Sequence, residues 1–295
     1  MTPKFALPLL LALPLLSAAG PLTLTDGDRV VLVGGTFLER EQRDGHWETA
    51  LLRHFPGKAV VWRNLGWSGD TVRGEARGSF GGQPNGYKQL KEHVLALKPT
   101  VIVLGYGNVE SFDGEAGLAK FKADYAKLLD DLAPAKARLI FLSPTPMEKQ
   151  AGKGDPATAN KNLKLYADAV RELAEQRKAA YVDLFTPLLK AMESAPSPLT
   201  VNGLHLTADG YRLTAPLIEA AFGFQPIASG DTSELRQAVV DKNTLYFYRW
   251  RPANETYLYG FRKHEQGKNA AEIPLFDPLV ERQEEKIRKL TEKGN

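Results

Sequence analysis

Thr36 carries a hydroxyl directly behind Gly34 and Gly35, at the end of the β-forming run Val30–Val33. Asn108 offers a carboxamide in Gly105-Tyr106-Gly107-Asn108, just after the apolar run Val101–Leu104. His205 offers an imidazole in Asn202-Gly203-Leu204-His205. A further polar, glycine-bearing stretch, Asn64-Leu65-Gly66-Trp67-Ser68-Gly69-Asp70-Thr71, follows the run Ala59–Trp62. Together these are the parts of an acyl-transfer site. The hydroxyl attacks a carbonyl, and the imidazole accepts its proton and later returns it to the leaving group. Amide and backbone N–H groups hold the developing oxyanion, each worth roughly 3–4 kcal/mol in comparable sites.

The elements that must position these groups are legible in the hydrophobic pattern. Five short, β-rich runs, Val30–Val33, Ala59–Trp62, Val101–Leu104, Leu139–Leu142 and Tyr181–Leu184, read as strands buried on both faces. Between them lie helical stripes: Trp47, Leu51 and Phe55; Leu90, Val94 and Leu97; Leu118 through Leu132; Leu163, Tyr166, Val170 and Leu173. A last helix, about Ala208 to Phe222, carries Leu213, Leu217 and Ala221 on one side. Strand-helix alternation of this kind predicts an α/β fold: a three-layer α/β/α flavodoxin-like sandwich with a central five-stranded parallel sheet. Ligands of such sheets bind outside the carboxyl ends of the strands, where the polar residues above collect.

In order and spacing, these blocks resemble the SGNH (GDSL-type) hydrolases over roughly residues 28 to 222. The family's Gly-Asp-Ser block looks like Gly34-Gly35-Thr36, its glycine block like Gly66, its asparagine block like Asn108, and its Asp-x-x-His block like Asn202-Gly203-Leu204-His205. The resemblance implies Thr36 as nucleophile, His205 as base and Asn202 as the residue that positions it. It implies an oxyanion hole of the Thr36 N–H, the Gly66 N–H and the Asn108 amide. Two departures stand out: Thr36 replaces serine, and Asn202 replaces the aspartate that orients the histidine. In a related triad an Asp-to-Asn change costs about 10⁴ in turnover. Glu110, Asp70 and Glu39 each follow a strand end and are candidates for a compensating carboxylate, while Gly35 and Glu110 are candidates for substrate contact. Each residue also has a plainer reading. Thr36 could cap the helix beginning near Phe37, with Glu39 in its first turn. His205 could be a packed loop histidine, Asn108 a turn cap, and Gly66 purely conformational.

The rest of the chain frames these expectations. Net charge is +3 with both signs interspersed, which gives no support to nucleic-acid binding. Residues 1–19 read as a signal peptide: Lys4, the apolar run Phe5–Leu16, then Ser17-Ala18-Ala19. Export to the periplasm or medium, cleavage near Ala19 and no stable membrane insertion afterwards are expected. There is no cysteine. His46 and His54 lie eight apart, and His264-Glu265-Gln266 lacks a second histidine four residues on, so neither metal nor cofactor is expected.

The hydrolase domain is expected over 20–225 and a C-terminal extension over 226–295. The extension is similar to one carried by a subset of bacterial SGNH-like proteins. Within it, Ser233–Lys242 is predicted as a short helix, Leu245–Trp250 as a strand and Asp277–Lys293 as a charged helix. Its Arg251, Asn254, Arg262 and His264 lie among aromatics and suit an anionic or sugar ligand, or alternatively satisfy one another in a wrapping segment. His264 or Glu265 could also reach the cleft and compensate for Asn202. The expected function is hydrolysis of a small-molecule or polysaccharide ester. The alternative is a catalytically silent carbohydrate-binding protein that keeps the fold.

Overall fold

The computed structural model describes residues 22–78, 82–227, 230–253, 255–265 and 269–293. The expected signal peptide and Asn254 lie outside them. Five parallel strands, β1 (Arg29–Gly34), β2 (Val61–Asn64), β3 (Val101–Gly105), β4 (Arg138–Leu142) and β5 (Ala180–Val182), form one sheet in the order β2-β1-β3-β4-β5. The chain leaves β1 for one neighbour and returns on its other side, so the β1/β3 crevice is the topological switch point where such sheets bind ligands. Val30, Leu32, Val101 and Val103 face one apolar layer, and Val31, Val33, Ile102 and Leu104 the other. This two-sided burial makes the strands read as continuous apolar runs.

The first layer holds α1 (Thr36–Asp44), α2 (His46–Leu52), α6 (Phe185–Ser194) and α7 (Ala208–Ala221). The second holds α3 (Gly82–Ala96), α4 (Gly114–Leu132) and α5 (Ala157–Gln176). α1 stops at Gly45, whose φ of 64° is the left-handed helix terminator, and α2 starts from the same residue. α7 anchors the first layer: the Tyr211 hydroxyl donates to the Phe37 carbonyl at 2.6 Å, and Trp47 Nε1 donates to Thr214 Oγ1 at 2.9 Å. Its buried face is Tyr211, Thr214, Ala215 and Ile218. The Leu213 and Leu217 stripe expected from the sequence is only partly buried.

The extension consists of α8 (Ser233–Trp250), α9 (Glu255–Leu258), a 3₁₀ segment (Asn269–Phe276) and α10 (Asp277–Lys293). Leu245–Trp250 is the last part of α8 and not the expected strand. Its β-forming composition is overridden by the spacing of Leu235, Ala238, Val239, Lys242 and Tyr246, which lays one continuous stripe along a helix facing the domain. Leu235, Ala238 and Val239 cluster with Leu52 of α2 and Ile287 of α10. Tyr246 and Val280 join the core of the second layer. Arg63 of β2 reaches Glu284 of α10 at 2.6 Å and lies under the Tyr246 ring. The extension therefore packs along β2, the edge of the sheet, and covers an edge that would otherwise be open to pairing.

Two buried charges make that seam. Lys242 Nζ sits 2.7 and 2.8 Å from the Glu48 carboxylate oxygens and donates to the Trp62 carbonyl at 3.1 Å. Both side chains are fully enclosed. Burial raises the Glu48 carboxyl and lowers the Lys242 ammonium, and their mutual attraction opposes both shifts. Among the described residues no helix is long and apolar enough to cross a membrane.

Candidate active site

The crevice at the ends of β1 and β3 begins with an unusually close approach. Gly34 pairs in register with Gly105, and a Cβ on Gly34 would stand 2.2 Å from the Gly105 carbonyl oxygen. The N-cap of α1 is Gly35, which has no side chain to spend, and Thr36 is the first helical residue. The helix-cap reading of Thr36 therefore falls away. Its N–H lies in the first turn, where α-helices have no internal acceptor. Its hydroxyl, half-buried, accepts the Gly69 N–H at 2.9 Å.

That contact puts Gly69, and not Gly66, beside Thr36. The Gly66 N–H, expected in the oxyanion hole, instead donates to the buried Asn64 Oδ1 at 2.8 Å. Asn64 Nδ2 in turn donates to the Leu38 carbonyl at 2.6 Å, pinning the β2 loop to α1. A Cβ on Gly66 would lie 2.4 Å from the Glu39 nitrogen and 2.8 Å from the Leu38 carbonyl carbon. Gly66 is thus a packing residue. Gly66→Ala is expected to cost about 3 kcal/mol, because the obstructing atoms are backbone and cannot rotate aside; urea denaturation measures this. Gly69 sits three residues on, exposed, with nothing near its Cα side. Sequence reasoning passed over it because the same loop carries two glycines, and only the fold shows which one reaches Thr36.

Asn108 follows β3. Its carboxamide nitrogen donates to the Thr145 carbonyl at 3.1 Å and to the Thr145 hydroxyl at 3.2 Å, and its oxygen accepts the Thr145 N–H at 3.4 Å. The loops after β3 and β4 are thereby tied together.

The loop that carries His205 is held from β4's side. Glu148 accepts the Leu199 N–H at 2.9 Å and the Thr200 N–H at 2.8 Å, and also bonds the Thr200 hydroxyl. Its own N–H donates to the Gly203 carbonyl at 2.8 Å. Asn202 Oδ1 accepts the backbone N–H groups of Leu204 and His205, each at 3.1 Å. Asn202 therefore shapes the turn beneath His205 through the backbone, and its carboxamide oxygen is spent there. The imidazole itself is half-buried, and its pKa is lowered by burial and by the nearby Arg40 guanidinium.

None of the three candidate carboxylates compensates for Asn202. Asp70 is sealed in an ion pair with Arg77 at 2.6 Å, both side chains without exposure. Glu39 takes the Ser68 N–H and faces Arg251. Glu110 is buried and accepts the N–H groups of Val72 and Gly107, each at 2.9 Å; it is a brace between two loops, not a substrate contact, and burial pushes its pKa up to about 7. Gly35 is likewise buried; its N–H donates to the Gly105 carbonyl at 3.2 Å, which removes it from the substrate-contact candidates. In the extension, Arg262 pairs with Glu265 at its own turn and stacks on Tyr257, which also removes Glu265 as a partner for His205, while His264 is exposed. Arg251 is engaged with Trp67 and Glu39. Among the described residues no group of three or more His, Asp or Glu side chains is arranged to hold a metal ion.

Burial and Arg40 favour the neutral form of the His205 imidazole. With His205 acting as the base proposed below, the acid limb of kcat/KM is expected to have its midpoint below 6.5. A pH-rate profile on an aryl ester checks this.

The architecture is that of an α/β hydrolytic enzyme with its hydroxyl at the switch point. Residues 24–213 match the GDSL-like Lipase/Acylhydrolase family, and the chain belongs to that family. It is an ester hydrolase of the GDSL type. No curated protein sequence matches it. Among solved structures it is similar to Axe2, an acetylxylan esterase from Geobacillus stearothermophilus, with a TM-score of 0.56 and 18% identity over 71% of this chain and 100% of that one. It is also similar to the acetyl xylan esterase AlAXEase, with a TM-score of 0.52 and 18% identity over 65% and 98% of the two chains. A third, BT4096, a gut microbial diltiazem-metabolizing enzyme, gives a TM-score of 0.54 and 17% identity over 70% of this chain and 49% of that one. This chain thus spans about half the length of BT4096.

Proposed function

We propose that this ester hydrolase removes small acyl groups, acetyl above all, from carbohydrate, with Thr36 as the nucleophile. The observation that carries the reading is the Thr36 hydroxyl at the β1/β3 crevice with the Gly69 N–H 2.9 Å away. The Thr36 oxygen attacks the acyl carbon while His205 takes its proton. The oxyanion is held by the Thr36 N–H, the Gly69 N–H and the Asn108 amide, which turns from Thr145 to the substrate. Collapse expels the sugar hydroxyl with the proton from His205, and water then repeats the sequence on the acyl-enzyme. The acetyl-carbohydrate assignment draws support from the two acetylxylan esterases of similar fold.

The catalytic weakness of this site is the charge beside His205. As the imidazole gains a proton it faces Arg40, and among the described residues no carboxylate offsets that charge. Asn202→Asp is expected to raise the His205 pKa and to raise kcat about tenfold, well short of the roughly 10⁴ of a complete triad, because the side-chain oxygen stays committed to the Leu204 and His205 N–H groups. Titration of His205 by NMR and steady-state rates check the two halves of that expectation.

The same cation favours a second reading, a carbohydrate binder that has kept the cleft. Acetyl release from aryl acetates and acetylated xylan decides between them. A rate above the uncatalysed background that saturates with substrate supports the esterase. No rate, together with retention on acetylated xylan, supports the binder. We further propose export to the periplasm or medium, on the strength of Phe5–Leu16 and the small residues at Ser17–Ala19; N-terminal sequencing of the protein recovered outside the cytoplasm tests the cleavage near Ala19.

A further inference from the structure

The loop that offers Gly69 to Thr36 is gripped from the extension. Trp67, two residues before Gly69, lies against the Arg251 guanidinium, whose central carbon is 3.5 Å from the ring centroid. Trp250 meets the same ring edge-on at 5.8 Å, and the Arg77 guanidinium lies 5.3 Å from its centroid. Ser68 donates its N–H to Glu39, and Arg251 Nη1 stands 3.4 Å from that same Glu39 oxygen. Asp70, just after Gly69, is locked to the buried Arg77. The three residues Trp67, Ser68 and Asp70 are therefore each held by a charged or aromatic group, and Gly69 between them bonds Thr36.

Arg251 and Trp250 stand at the end of α8, and α8 is seated in the sheet edge by Lys242 and Glu48. The grip thus comes from a rigid helix and not from a loose tail. A planar guanidinium is suited to it, because one group can stack on an indole and still present an N–H to a carboxylate.

We propose that Arg251 is a positioning residue for the Gly69 N–H: the extension clamps Trp67 and Ser68 so that the backbone donor stays held beside the Thr36 hydroxyl, within reach of an acyl group bound there. The catalytic half of this rests on the ester-hydrolase mechanism proposed above; the mechanical half does not. Misplacing one reacting or stabilising group by about 1 Å can cost up to 10²-fold in rate, so loosening this loop should show in kcat.

The experiment compares Arg251→Ala, Arg251→Lys and Arg249→Ala in the full chain. Arg249 lies on the same helix end but pairs with Asp277 at 2.7 Å. Amide exchange of residues 67–70 is followed beside that of β3, together with kcat and KM for an aryl acetate. Arg251→Ala is expected to speed exchange at Ser68 and Gly69 at least tenfold with β3 unchanged, and to lower kcat about tenfold with KM within about twofold. Lysine keeps the charge facing Glu39 but not the flat face, so Arg251→Lys should fall between, and Arg249→Ala should match the wild type.

Unchanged exchange at residues 67–70 in Arg251→Ala, or the same change in Arg249→Ala, overturns the proposal. If Arg251→Ala also loosens β3, Arg251→Lys decides by the same criterion. Should the wild type hydrolyse no ester, faster exchange in Arg251→Ala leaves the clamp standing while the catalytic reading falls.

Discussion

Thr36→Ala is expected to lower kcat for acetyl-ester hydrolysis about 10²-fold, with His205→Ala doing the same and the double variant no worse. The size follows from two magnitudes. In a complete triad, losing the nucleophile or the base costs about 10⁶ in turnover, and residues acting as one unit are not additive. The absence of an orienting carboxylate already removes about 10⁴ of that. Roughly 10² then separates this site from its own knock-outs. The structure gives no reason to expect more: Asn202 spends its oxygen on the Leu204 and His205 N–H groups, and Arg40 is the charged neighbour that acts on the imidazole. Steady-state rates on an aryl acetate measure it. A loss of 10⁵ or more would mean that some group outside those described above supplies the missing charge. No loss would take Thr36 out of the chemistry.

Lys242→Met is expected to destabilise the protein by about 3–5 kcal/mol, the range found when one partner of a buried ion pair is removed. The change strands the Glu48 carboxylate inside the seam and removes one donor from the Trp62 carbonyl, which keeps Arg63 Nη1 at 3.0 Å. Glu48→Gln combined with Lys242→Met should recover much of the loss, because no uncompensated charge then remains. The sign of the pH dependence follows from burial. It holds the Glu48 carboxyl above its ordinary 4.5 even with Lys242 present. Without the ammonium the folded-state value rises further. The single variant should therefore be least destabilised in acid, where Glu48 is protonated in both states, and progressively more so as pH rises through the folded-state value. Urea titrations at several pH values check both points. Because α8 also carries Trp250 and leads into Arg251, the same variant tests whether the extension and the hydrolase core unfold together.

Much of the architecture was legible in the chain. Strands such as Val101–Gly105 are buried on both faces, so nearly every position must be apolar, and the run announces itself. The Leu118-to-Leu132 stripe is periodic for an equally local reason: one helix face meets the sheet. Ends were less distinct. β2 runs Val61–Asn64, later than the apolar run suggests, because its hydrogen-bonding register with β1 and not its hydropathy sets where pairing stops. The last turns of α8 were misread as a strand because Leu245-Tyr246-Phe247-Tyr248 has β-forming composition, and the surface it packs on comes from residues about two hundred positions earlier.

The sequence by itself determined the fold class and placed Thr36 behind β1, Asn108 behind β3 and His205 ahead of α7. Those follow from the pattern of apolar runs, since the topology of a parallel sheet brings every strand's carboxyl end to one side. Only the tertiary structure decided what each polar group faces. Gly66 and Gly69 are equivalent as letters. The fold presses one against the backbone of α1 and opens the other toward Thr36. Glu39, Asp70 and Glu110 all stand near strand ends, yet each is consumed by a partner its own position does not announce: Arg251, Arg77, and the Val72 N–H, respectively. Hydrogen bonds and ion pairs act over about 3 Å, and no local pattern records which distant residue comes within that reach.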